Sequence, residues 1–184
     1  MAFTLPVALI LVVALSTYLP SRFLKTDYNF VYLTCDDRDY DYYLCEKYID
    51  LRYAVEGSTL VLKPVEPEFF DLDVYTIRNF AERFTVRIFL HDTQTNLSRE
   101  ITLEEAQGYT LNSLVTSPDG VAVDGRYSSG GGDFFFIFDL GSSSYGYYLT
   151  KGKQQSRLNL FGDDGSYYYQ NNFKFLGWVT PEQN

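Results

Sequence analysis

The sequence predicts a mainly β protein: one N-terminal transmembrane helix, then an antiparallel β-sheet or sandwich domain with one or two short helices. Three observations carry this. Tyr and Phe number 17 and 15 among 184 residues, and aromatic rings suit the half-buried, pleated surface of a sheet. Short apolar runs of strand length alternate with Gly, Pro, Asn and Asp turn signals. Residues Ala2 to Leu19 carry no charged side chain, the pattern of a membrane span. The expected division is residues 1–25 as anchor and 26–184 as one β-rich soluble domain, long enough for a single core.

Residues 2–19, as a helix, span about 27 Å, close to the bilayer's apolar thickness of about 30 Å. Pro6 falls in the first turns, where proline does least harm, and Pro20 ends the run. Tyr18 and Phe23 stand where interfacial aromatics belong, with Arg22 and Lys25 just beyond. A cleaved signal peptide is the rival reading, since Ala14-Leu15-Ser16 offers small residues. Met1-Ala2-Phe3-Thr4 has no basic n-region, which favours a retained single-pass anchor. A type IV pilin start is echoed by Phe3-Thr4-Leu5, but Pro6-Val7 stands where that motif needs a Glu. Two signals on orientation oppose each other. Arg22 and Lys25 after the helix point the domain to the cytoplasm. Cys35 and Cys45, read as a disulfide across an acidic loop, point to an oxidising, extracytoplasmic compartment, which is the expectation adopted.

Tyr28–Cys35 (YNFVYLTC) reads as a strand, Asp36–Tyr43 as a loop, and Leu44–Tyr53 as a returning strand. Gly57-Ser58 is a turn before a short strand at Thr59–Lys63. Pro64 and Pro67 mark a connector, and the stretch from Glu68 to Glu82 has partly helical spacing and also allows a strand pair. Thr85–His91 alternates, with Val86, Ile88 and Leu90 on one side. Asp92–Asn96 turns it into Leu97–Thr102, a hairpin. Thr102 and Glu105 form a capping box for a short helix that Gly108 ends. Ser117-Pro118-Asp119-Gly120 is a turn leading to a strand at Val121–Val123. Asp133–Leu140 (DFFFIFDL) reads as a strand buried on both faces. Tyr145–Thr150 and Gln155–Leu160 pair around Lys151-Gly152-Lys153. Phe173–Val179 closes the domain as an alternating strand, Phe173, Phe175 and Gly177 against Lys174, Leu176 and Trp178, with Trp178 as a core anchor.

Two similar units emerge, Val86–Thr102 and Tyr147–Leu160, each strand, polar turn, strand, with Ser117–Gly120 between them. Over residues 85–181 this order resembles blades of TolB-like or WD40-like β-propellers, in which such a turn joins inner strands. A closed propeller needs at least four blades of about 40 residues, so the resemblance implies a blade-like sheet without a central channel. The whole chain also resembles small anchored bacterial envelope proteins, a likeness that implies no activity.

The net charge of −9 repels phosphate backbones, and no run of Lys and Arg offers an exception, so nucleic acid is not an expected partner. Asp37, Asp39 and Asp41 could offer oxygens to Ca²⁺, but they lack the glycine and distal glutamate of a known loop and read as a solvated turn. No cofactor is otherwise expected. Asp163-Asp164-Gly165 is another turn. His91 is the single histidine; beside Asp92 it could position a base, and the plainer reading is a strand-end surface residue. Ser129–Gly132 lacks the lysine and helix of a phosphate loop. Asn96-Leu97-Ser98 matches a glycosylation triplet, relevant only on a eukaryotic secretory route.

Tyr145, Tyr147 and Tyr148, with Tyr167, Tyr168 and Tyr169, are the candidate binding surface, because tyrosine supplies rigid contact area with a polar tip. Cross-strand packing on a solvated face is the plainer alternative. The resulting expectation is a membrane-anchored, non-catalytic envelope protein that binds another protein through a Tyr-rich β surface. An accessory subunit of a larger membrane complex is the first alternative, its helix packing through Ala8, Ala14 and Ser16. A hydrolase is the second, although no nucleophile–base pair is evident.

Overall fold

A computed structural model describes residues 24–37, 42–65, 84–128, 144–161 and 173–181. The expected span at 2–19, Asp133–Leu140, the stretch from Glu68, and Asp163–Gly165 lie outside these residues wholly or for the most part. Among the described residues no helix is long and apolar enough to cross a membrane. They form a mainly β fold of antiparallel sheets with two short helices.

The centre is β1 (Phe30–Asp37), which opens on the apolar and aromatic run Phe30–Leu33. Its two neighbours are β4 (Phe84–Asp92) and β10 (Phe173–Thr180), both antiparallel. Strand β5 (Leu97–Ile101) extends the sheet beyond β4, and β6 (Thr110–Asn112) extends it beyond β10, giving the order β5-β4-β1-β10-β6. Successive side chains of a strand point to opposite faces. Val31, Leu33 and Cys35 therefore enter one core and Phe30 and Tyr32 the other, and all five are fully buried. Tertiary packing therefore covers β1 on both sides.

On the first face lie α1 (Tyr42–Arg52), the hairpin β2–β3 (Tyr53–Glu56 and Thr59–Leu62) and α2 (Leu103–Gln107). The expected strand at Leu44–Tyr53 is instead mostly α1. Cys45 and Ile49, four residues apart, are its buried positions, with Leu44, Tyr48 and Leu51 beside them, which is helical spacing. The β2–β3 turn is Gly57-Ser58, as its sequence indicates; both residues have positive φ, 55° and 65°, the geometry of a tight two-residue hairpin. Thr102 caps α2, its hydroxyl accepting from the Glu105 amide at 3.1 Å. The Glu105 carboxylate is engaged by Arg99 and by the Tyr109 hydroxyl. Gly108 ends α2 with φ −76°, not in the left-handed conformation expected of a terminal glycine.

On the second face lies a separate sheet, β7-β8-β9 (Ala122–Ser128, Ser144–Lys151, Gln154–Arg157). Val121, Val123, Tyr147, Leu149, Leu158 and Leu160 from this layer meet Phe30, Tyr32, Phe89 and Trp178. Both expected hairpins form, but in different sheets: β4–β5 at the edge of the large one, β8–β9 in the small one. The alternation expected along β10 is broken by a bulge. Tyr32 pairs with Phe175 while Val31 pairs with Gly177, so Leu176 is the extra residue. Trp178 is thereby turned to the face of Phe173 and Phe175, where it is fully buried, its indole Nε1 donating to the Val115 carbonyl at 3.2 Å.

Cys35 of β1 and Cys45 of α1 form a disulfide, Cα–Cα 5.8 Å, buried in the first core. Leu24 is already part of the second core.

Candidate functional site

The tyrosine cluster of β8 is divided by the pleat. Tyr147 points inward, is 7% exposed, and packs on Phe173 with ring centroids 3.9 Å apart. It is a core residue, which corrects its place on the expected surface. Tyr148, one residue on, belongs to the opposite, outer face. Tyr145 pairs with Tyr127 in the ladder. Tyr167, Tyr168 and Tyr169 lie outside the described residues.

The outer face around Tyr148 is assembled by register. Asp124 of β7 stands opposite Tyr148, and Tyr148 opposite Arg157 of β9. Gly146 lies beneath. A Cβ added there would meet Arg157 Nε at 3.3 Å and Tyr148 Cε2 at 3.5 Å. The missing side chain is what lets the guanidinium and the phenol ring lie low across the strand. The result is an aromatic–cationic platform of Tyr148 and Arg157 over Gly146, side chains of the type that dominate protein interfaces. Sequence reading missed Asp124, Gly146 and Arg157, because only cross-strand pairing brings them together. Lys151, Lys153 and Arg157 share the β8–β9 hairpin that the sequence indicates.

A cleft of about 80 Å³ opens beside this hairpin, where β9 meets the β4–β5 turn. Leu24, Leu149 and Leu158 line it, with Lys25, Ser156 and Arg157 among its polar neighbours. Lys25 Nζ donates to the Gln94 carbonyl at 2.8 Å. The Asn96 amide donates to the Arg157 carbonyl at 3.1 Å and accepts from the Asn159 amide at 2.9 Å. Asn96 thus clasps the two sheets as a strand residue would, and its side-chain nitrogen, the acceptor atom of the glycosylation triplet, is occupied.

His91 is not the surface residue expected. It is fully buried in β4, its ring centroid 4.8 Å from that of Phe30. Its Nδ1 shares a hydrogen bond with Ser98 Oγ at 2.9 Å, while Nε2 is buried without a partner. Burial lowers its pKa to about 4, against the opposing effects of the Asn96 side chain and the Asp92 charge. The Asp92 carboxylate turns away, accepting from the amides of Gln94 and Thr95 in the hairpin loop. The adjacency in sequence therefore produces no His–Asp pair of the kind a base requires.

The Ser-Pro-Asp-Gly turn holds the other polar network. Gly120, at φ 83°, closes it, its amide donating to Ser117 O at 2.9 Å. The buried Ser117 hydroxyl donates to Asp119 and accepts from the Val121 amide, and Thr26 Oγ1 donates to Asp119 at 2.9 Å. Burial pushes the Asp119 carboxyl up, but the hydrogen bonds from Ser117 and Thr26 outweigh it and hold it below the usual carboxylate range. This is a clasp on the segment that precedes β1.

Of the three candidate calcium ligands, only Asp37 is described, at the end of β1; Asp39 and Asp41 lie outside. Among the described residues no group of three His, Cys, Asp or Glu side chains comes together to hold a metal. No family model matches the chain, and comparisons with curated proteins and with solved structures return no match.

Proposed function

We propose that this chain is a membrane-anchored, non-catalytic protein whose β-domain docks another protein through the outer face of β7–β8–β9, on the extracytoplasmic side. The observation that carries the reading is the platform of Tyr148 and Arg157 laid over Gly146. Tyr and Arg are the residues that most often dominate binding energy at an interface. The buried Cys35–Cys45 bridge supports the compartment, since such bonds persist where the environment is oxidising. The burial of Leu24 supports a close tether, because only residues 20–23 separate it from the apolar segment.

The test is co-purification from membranes with mild crosslinking, comparing the native chain with Tyr148→Ala. A specific crosslinked partner that the substitution weakens supports the reading. A chain that emerges alone and monomeric, or a partner indifferent to Tyr148, sinks it.

A further inference from the structure

We propose that the face of β7–β8–β9 takes an acidic, extended segment of its protein partner, one carboxylate side chain of which lodges in the cleft at Lys25. This rests on the docking role proposed above and adds the chemistry of what docks. Residues 144–161, which hold β8, β9 and the turn between them, carry three cations, Lys151, Lys153 and Arg157, and no carboxylate, in a chain of net charge −9. Among the described residues, cationic charge is thus gathered on the hairpin that carries Tyr148. A local field of that sign, felt over about 10 Å at ordinary salt, attracts acidic segments and opposes basic ones.

The cleft extends this patch. The Lys25 side chain is exposed and its ammonium donates to a neutral carbonyl, that of Gln94, at 2.8 Å. Among the described residues no carboxylate pairs with it, and an ammonium has three donors. Below it lie Leu24, Leu149 and Leu158, in a space of about 80 Å³, room for one side chain. A glutamate satisfies both halves: its methylenes cover leucine, and its carboxylate meets Lys25. Among the described residues β9 is the last strand of its sheet, and Asn96 already takes the backbone of Arg157 and Asn159 beside the cleft, so the segment reaches the cleft across the exposed side chains of the β8–β9 hairpin and not by pairing with the edge of β9.

The experiment uses the full chain in mild detergent, titrated with a fluorescent glutamate-rich decapeptide and followed by anisotropy. Saturable binding is expected, about tenfold weaker for a glutamine-for-glutamate peptide and lost at high salt. Lys25→Ala should weaken it several-fold. Equal binding of the two peptides, or no effect of Lys25→Ala, overturns the proposal. So does competition by inorganic phosphate at the peptide's own concentration, which would indicate a simple anion site. A single-stranded oligonucleotide binding as tightly as the peptide overturns it too, as does a salt-sensitive dimer of the chain that excludes the peptide. If the crosslinked partner depends on Tyr148 but the peptide does not bind, docking stands and its acidic preference fails. If the peptide binds and no partner is captured, the docking role itself fails.

Discussion

At the residue scale the sharpest case is His91, a neutral imidazole in an aromatic setting with one nitrogen unpartnered. Its pKa falls from 6.5 to about 4 on folding. The unfolded chain therefore holds the proton more tightly, so the native state loses stability as pH falls below about 6.5, and the loss is complete near pH 4. A shift of that size corresponds to about 3 kcal/mol. Urea unfolding at pH 7 and pH 4 should show this loss in the native chain and not in His91→Phe; equal acid slopes would count against a buried neutral histidine. Gly177 gives a second expectation. A Cβ there would meet the Asn112 carbonyl oxygen at 2.8 Å and its carbon at 3.0 Å, both backbone. Gly177→Ala should destabilise the domain by about 1–3 kcal/mol, read from the urea midpoint, because neither β6 nor the bulged β10 can retreat cheaply.

At the scale of elements, α1 shows how a short helix with little amphipathic pattern is kept in place. The Lys174 ammonium of β10 reaches its C-terminal end, donating to the carbonyls of Ile49 at 3.2 Å and Tyr53 at 2.9 Å and pairing with the Asp50 carboxylate at 3.0 Å. A cation at the negative end of the helix dipole, satisfying otherwise open carbonyls, is a stabilising arrangement. Lys174→Met keeps the aliphatic stem and removes the charge; it should lower stability by about 1–2 kcal/mol, seen by chemical denaturation. An unchanged midpoint would mean that water replaces the ammonium without loss. The surface ion pairs Arg87–Glu100 and Arg99–Glu105 are the contrasting case, exposed and of little weight.

For the whole molecule, the central sheet is a partition between two cores, and long-range links hold the layers to it. The Cys35–Cys45 bridge ties α1 to β1 across a separation of 10 residues. Removing it with a Cys35→Ala, Cys45→Ala double substitution should cost about 2–4 kcal/mol of unfolding free energy. Thiol labelling in intact cells addresses the compartment: no labelling without reductant, and labelling after denaturation with reductant, is the expected outcome for an extracytoplasmic domain. On the opposite face no covalent link exists among the described residues, and Asn96, Thr26 and Tyr32 make the polar connections. The Tyr32 hydroxyl, for instance, accepts from the Phe161 amide at 2.9 Å, 129 residues away in sequence.

What the sequence determined by itself is local. Turn chemistry at Gly57-Ser58, Ser117–Gly120 and Lys151–Lys153, the Thr102 cap, and the alternation of Val86, Ile88 and Leu90 depend on near neighbours, and each is where its residues indicate. The run from Phe30 to Cys35 announces a strand for the same reason. Tertiary structure decided the rest. Residues 44–52 carry aromatic and β-compatible side chains, yet they form a helix because Cys45 and Ile49 fill one core position each, a contact that sequence does not display. One inserted residue at Leu176 reverses the face of Trp178. His91 is buried because a second sheet covers it, not because of anything beside it in the chain. The Tyr148 platform depends on register across three strands, and a pleat of period two sends Tyr147 and Tyr148 to opposite sides. Local chemistry names the elements; which face of each is covered, and what stands opposite, is settled only when they pack.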